Sequence, residues 1–200
     1  MKKSMLIILL LVMNACKEQQ DHSKHAHHEH HKMESGKVSG ESVYNLEGKS
    51  LKNQNAEAIS LSDFKNSKVL VSMIFSTCKD ICPRLVADMQ NIERKLEKDS
   101  IQDVKYVLIS FDSDKDTPNV LKEYAVKMKF DLKRWTLIHA SASDIAEIAA
   151  VLGVKYKKME DGTFSHSNLI SLLNAKGEIV YRLEGLGQNP DALIEKLKSL

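Results

Sequence analysis

No run of apolar residues in this chain approaches the ~20 that a helix needs to cross a bilayer. The longest, Met5 to Met13, ends at the polar Asn14, so a spanning helix is not expected. An excess of one charge is also missing: Lys and Arg number 29 against 27 Asp and Glu, a formal net charge of +2. That balance argues against a nucleic-acid partner, whose phosphates call for a basic face. Cysteine is scarce, with three residues, and so is proline, at Pro83, Pro118 and Pro190. No internal repeat is visible, so a solenoid of short units is not expected.

What the sequence does have begins at its first residues. Lys2 and Lys3, then the apolar run, then Asn14-Ala15-Cys16 have the order of an export signal. A small residue followed at once by cysteine resembles a bacterial lipoprotein signal. Cleavage would remove residues 1–15 and leave Cys16 as a lipid-bearing N-terminus; an ordinary signal peptide is the alternative. The expected location is the cell envelope, with the lipid anchor on the membrane and the domain facing the periplasm. In such an oxidising compartment thiols persist only if paired, metal-bound or redox-active. With Cys16 set aside, Cys78 and Cys82 remain.

Residues 16–40 are polar and hold no aromatic side chain. They cannot bury enough apolar surface to offset the entropy of ordering, and they read as a tether. Six of the eight histidines fall here, at His22, His25, His27, His28, His30 and His31. Such a tract fits auxiliary copper or zinc binding, and equally a solvated linker.

Residues 41–200 read as one α/β domain. Ser42–Leu46 and Ala58–Leu61 are expected strands around a turn at Lys52–Asn55. Lys68–Ser76 and Val104–Phe111 are nearly continuous apolar β-formers, as in strands covered on both faces. A helix is expected from Pro83, with Leu85, Met89, Ile92 and Leu96 on its buried side. Asp116-Thr117-Pro118 starts a second helix, Trp135–Ile138 is a strand, and Ser143–Leu152 is a helix closed by Gly153. Asn174-Ala175-Lys176-Gly177 joins Leu169–Leu173 to Glu178–Leu183 as a hairpin, and Pro190–Leu200 closes as an amphipathic helix. This alternation implies right-handed crossovers and a parallel core with a terminal hairpin, the thioredoxin-like arrangement.

Cys78-Lys79-Asp80-Ile81-Cys82-Pro83 falls between a buried strand and a helix, at the end of the sheet where α/β sites gather. A helix N-terminus favours thiolate over thiol. Pro83 biases Cys82 away from helical angles, which makes Cys82 the expected cap. Two close sulfurs either form a disulfide or hold a soft metal; a structural staple across so short a loop would add little, since its effect grows with loop length. His166, just before the hairpin, is the candidate third ligand. Two sulfurs and an imidazole suit Cu(I). Asp112, Asp114 and Asp116 have turn and capping roles open to them, with Asp112 as a possible accessory residue.

Phe75-Ser76-Thr77-Cys78-Lys79-Asp80-Ile81-Cys82-Pro83, Ser110-Phe111-Asp112-Ser113-Asp114-Lys115-Asp116-Thr117-Pro118, and His166-Ser167 followed by Asn174-Ala175-Lys176-Gly177-Glu178 resemble, in order, three segments of the Sco/SenC family of copper chaperones. The resemblance implies a thioredoxin-like domain binding copper, as Cu(I) or also Cu(II), through Cys78, Cys82 and His166, with a Cys78–Cys82 disulfide in the oxidised state. It also implies service to the copper-bearing subunit of cytochrome c oxidase, as copper donor, thiol reductant or both, with an upstream copper donor and a reductant as further partners. Two positions depart from the family. Lys79 stands where Pro is usual, and Ser165 stands where an Asp usually precedes the histidine; Asp161 is a candidate replacement for that carboxylate.

A carrier of this kind is not an enzyme in the ordinary sense. The enzymatic alternative is a thiol–disulfide oxidoreductase, and a redox or copper sensor of the envelope shares the same site. Thioredoxin-type enzymes have two residues between their cysteines, where this chain has three, and a cis-proline facing them, where no proline lies near His166. Peroxiredoxins place Thr three residues before the reactive cysteine, where this chain has Phe75.

Overall fold

The structure, a computed structural model, describes residues 40–46, 48–101 and 103–200. The signal segment, Cys16 and the His-rich tract lie outside the described residues. The elements are β1 (Leu51–Asn53), β2 (Ala58–Ile59), β3 (Lys68–Ile74), α1 (Ile81–Lys98), β4 (Val104–Ser110), α2 (Pro118–Lys127), β5 (Trp135–His139), α3 (Ala142–Leu152), β6 (Tyr156–Lys158), β7 (Phe164–His166), β8 (Leu169–Leu173), β9 (Ile179–Glu184) and α4 (Asp191–Lys198), with 3-10 turns at Val43–Asn45 and Leu61–Phe64.

The apolar runs become the middle of a seven-stranded sheet ordered β2-β1-β5-β4-β3-β8-β9. β3, β4 and β5 are parallel, and β8 joins β3 antiparallel. Val69, Val71, Val107 and Ile109 face a layer formed by α3 and the two 3-10 turns. Alternate side chains point the other way, toward α1, which is tied to α2 by Gln90 and to α4 by Lys95. Cover on both faces is why these strands carry almost no polar residue. The result is the expected thioredoxin-like α/β fold, with a central mixed sheet flanked by helices and the β1–β2 hairpin extending its edge.

Three local features differ from expectation. Ser42–Leu46 is not a strand: Ser42 Oγ accepts the Tyr44 N–H and starts a 3-10 turn that buries the consecutive Val43 and Tyr44. Only Ala58–Ile59 of the second strand pairs; Leu61–Phe64 turns under a capping box between Ser60 and Asp63. The antiparallel pair β6–β7 has no counterpart in the sequence pattern, being two strands of three residues with little alternation.

β3, β4 and β5 all begin at one end of the sheet, near Lys68, Val104 and Trp135, and β8 ends there at Leu173. The described chain enters at this end, where the Val43 N–H bonds the Gly177 carbonyl at 3.0 Å. Gly177 has φ +79°, and a Cβ there would lie 2.5 Å from the Tyr44 ring, so the turn admits only glycine. The cysteine loop and His166 lie at the opposite end, about 20 Å of strand away.

Candidate metal centre

β3 stops at Ile74, and Phe75 to Cys78 turn back with the Cys78 N–H on the Phe75 carbonyl at 3.2 Å. α1 then begins at Ile81, so Cys82 sits inside its first turn and is not the cap. Pro83 is tolerated there because the amide it lacks would have had no partner within the helix. Asp80 occupies the N-cap position but makes no side-chain cap bond. The Cys78 sulfur takes that part: it accepts the Cys82 N–H at 3.3 Å.

This explains an asymmetry between the sulfurs. The Cys82 thiol donates to Cys78, and with the helix amides holds the Cys78 thiol down to about 5 against its partial burial. The same bond, together with burial and the charge on Cys78, pushes the Cys82 thiol up. The contact between the sulfurs thus favours thiolate on Cys78 and the proton on Cys82. Both thiols are free; Cys82 is fully buried and Cys78 half-buried. A small haloacetamide should therefore alkylate Cys78 ahead of Cys82. Its rate should rise with thiolate through about pH 5 and level off above it, where an ordinary thiol would still be climbing toward its pKa of roughly 8.5. Preferential labelling of Cys82, read by peptide mass mapping, would contradict the assignment.

His166 ends β7 and is 6% exposed. Its Nδ1–H donates to the Ser167 carbonyl at 3.0 Å, and Nε2 lies 3.7 Å from Cys82 Sγ. The orienting group is a main-chain carbonyl, which fixes the tautomer and leaves the Nε2 lone pair facing sulfur. Asp161 Oδ1 accepts the Thr163 N–H and hydroxyl at 2.9 and 2.6 Å. Phe111 packs on the imidazole at 4.9 Å and Phe75 meets it edge-on at 6.1 Å, forming an apolar wall.

Metal–sulfur and metal–imidazole bonds of about 2.3 and 2.0 Å, meeting at a trigonal to tetrahedral angle, put sulfur and nitrogen roughly 3.5–3.8 Å apart. The Cys82–His166 separation of 3.7 Å falls in that span. Among the described residues no three Cys, His, Asp or Glu side chains already stand grouped as a metal cage. The donors form two pairs, Cys78–Cys82 and Cys82–His166, that share Cys82. Such a set can hold a soft ion or pass between dithiol and disulfide.

Asp112 closes a turn, with Oδ1 on the Lys115 N–H at 3.1 Å, while its buried Oδ2 has no hydrogen-bond partner among the described residues. The acidic residue that reaches the cysteine turn is instead Asp116, fully buried and bonded to Ser76. Its position directly before Thr117-Pro118 is explained equally well by a helix start, so sequence alone does not single it out.

A family model described as SCO1/SenC matches residues 47–200. The SCO1 protein homolog of Bacillus subtilis is 28% identical over 160 residues, covering 78% of this chain and 82% of that protein. The structure of BsSco, described with a disulfide switch and as a member of the Sco family of cytochrome c oxidase assembly proteins, matches with a TM-score of 0.70 at 28% identity, covering 82% of this chain and 95% of that one. Bradyrhizobium japonicum ScoI, solved with copper bound, matches with a TM-score of 0.62 at 26% identity, covering 76% and 96%.

Proposed function

The chain belongs to the SCO1/SenC family, and from that premise we propose that it is an envelope copper chaperone that carries Cu(I) on Cys78, Cys82 and His166. The carrying observation is the fully buried Cys82 sulfur facing His166 Nε2 at 3.7 Å. Loading adds Cys78 as the third donor, brought in from the helix amides that hold it. Three soft or borderline ligands in an apolar wall favour Cu(I) over hard cations. The reading extends to the copper-bearing subunit of cytochrome c oxidase as recipient, by kinship with oxidase assembly proteins. The thiolate on Cys78 suits attack on a disulfide, so thiol reduction of that recipient belongs to the same proposal.

The position of the chain's entry supports an anchored, outward-facing arrangement. No helix of the described residues is long and apolar enough to cross a membrane. A tether held at the membrane through a lipidated Cys16 would join the domain at the end of the sheet opposite the cysteines, leaving the site directed away from the lipid.

The test is anaerobic Cu(I) titration of the reduced chain against a competing chelator, with X-ray absorption on the loaded protein. The expected tight site has two sulfurs and one nitrogen; no sulfur at copper would end the reading. Near neutral pH, binding should release the one proton held by Cys82, so affinity should fall about tenfold for each unit by which pH drops. A pH-independent affinity would contradict release of a thiol proton on binding.

A further inference from the structure

Asp116 is a charged side chain with no exposed surface, and neither copper binding nor thiol chemistry has yet given it a part. Burying a carboxylate is costly unless hydrogen bonds replace its water. Here they do. Oδ2 accepts the Ser76 N–H at 2.8 Å and the Ser110 hydroxyl at 2.5 Å, and Oδ1 accepts the Ser76 hydroxyl. The main chain of the same residue is fixed as well: its N–H bonds the Asp112 carbonyl at 2.9 Å, and its carbonyl accepts His139 Nδ1–H at 3.0 Å. One residue thus ties together the exits of the three parallel strands, through Ser76 beyond β3, Ser110 on β4 and His139 on β5.

Of these partners, Ser76 bears on the metal centre. It is the second residue of the Phe75–Cys78 turn, which closes with the Cys78 N–H on the Phe75 carbonyl. Cys78 is therefore placed by a four-residue turn, and Asp116 grips that turn at backbone and side chain together. A carboxylate suits the task because each of its oxygens accepts without needing to donate, so the amide and both hydroxyls can all point at it. Pairs of this charge-assisted kind are shorter and stronger than neutral ones.

We propose that Asp116 is the positioning residue of the metal centre, holding the Cys78 turn in register with Cys82 and His166 so that the three donors can close on one ion. This rests on the copper reading of the site. Residues that orient metal ligands typically change affinity by about 10–100-fold when lost, and Asp116→Ala is expected to weaken Cu(I) binding by that amount. Asp116→Asn keeps the shape and one acceptor oxygen and should recover most of the loss. Ser76→Ala removes one of the two grips on the turn and should fall between.

The experiment measures Cu(I) affinity by anaerobic chelator competition on the full reduced chain. A Cys78→Ala/Cys82→Ala variant sets the background of the His-rich tract, and circular dichroism identifies temperatures at which each variant is fully folded. The expected order of affinity is parent, Asp116→Asn, Ser76→Ala, Asp116→Ala. Parental affinity in folded Asp116→Ala overturns the proposal. So does parental affinity in both Asp116→Asn and Ser76→Ala when Asp116→Ala fails to fold, since Asp116 would then serve stability alone. If the parent itself does not exceed the cysteine-free background, it is the copper reading that fails, and the two failures are distinct.

Discussion

Replacing Cys82 with alanine is expected to lower Cu(I) affinity by at least about 100-fold, roughly 2.7 kcal/mol or more, while leaving the domain folded. Cys82 is the donor that both pairs share: it faces His166 Nε2 at 3.7 Å and bonds Cys78. Without it, one thiolate and one imidazole remain, and that is a poor Cu(I) site. Removing a single buried sulfur costs about 1 kcal/mol of stability, the scale of one buried methyl group, so unfolding would not account for the loss. Cys78→Ala should cost a similar factor. His166→Ala should cost less, because both soft sulfurs survive. Chelator competition and thermal melts on the same samples separate binding from folding. A Cys82→Ala chain that binds Cu(I) as tightly as the parent would remove the metal site from this end of the sheet.

The second large effect is on the dithiol–disulfide couple. A Cys78–Cys82 disulfide has no thiolate to offer, and a bound ion occupies both sulfurs, so copper binds the reduced form alone. Free Cu(I) buffered at about a hundred times its Kd stabilises that form by about 2.7 kcal/mol. In a two-electron couple, about 1.4 kcal/mol corresponds to about 30 mV, so the reduction potential should rise by roughly 60 mV. The sign comes from linkage: whatever binds only the reduced state makes the protein easier to reduce. The measurement is redox equilibration against a dithiol buffer under anaerobic conditions, with and without a Cu(I) buffer. A potential that does not move would make the cysteines a redox pair without a metal role, and the oxidoreductase reading would lead. A shift of the expected size means that the chain must be reduced before it loads, coupling copper delivery to the thiol state of its compartment.

Much of the architecture is legible in the sequence because burial on both faces leaves a strong mark. The runs at Lys68–Ser76 and Val104–Phe111 could hardly be anything but central strands, and Thr117-Pro118 and Gly153 bracket helices by backbone preferences that act locally. Short elements are not legible. In Val43–Asn45, a serine cap outweighs β-propensity, and in Tyr156–Lys158 and Phe164–His166 three residues per strand are too few to display a period. The start of α1 lies two residues before the position expected from Pro83 because the cap is not a side chain of the capping residue. It is the sulfur of Cys78, two residues further back.

By itself the sequence determined the ligand types, their spacing and the strand-to-helix turn that carries the cysteine pair, because these depend on residue chemistry and on local backbone preference. Tertiary structure alone decided three things. It set His166 opposite Cys82 across 84 residues of chain, since β8 runs antiparallel beside β3. It set the two thiols apart, Cys78 lowered and Cys82 raised, because Cys82 donates to Cys78 and Cys78 also reaches the start of the helix. It also made Asp116, not Asp112, the acidic residue that reaches the cysteine turn. That choice depends on which carboxylate the three strand exits enclose, and the distance between strand exits is not written in any local stretch of residues.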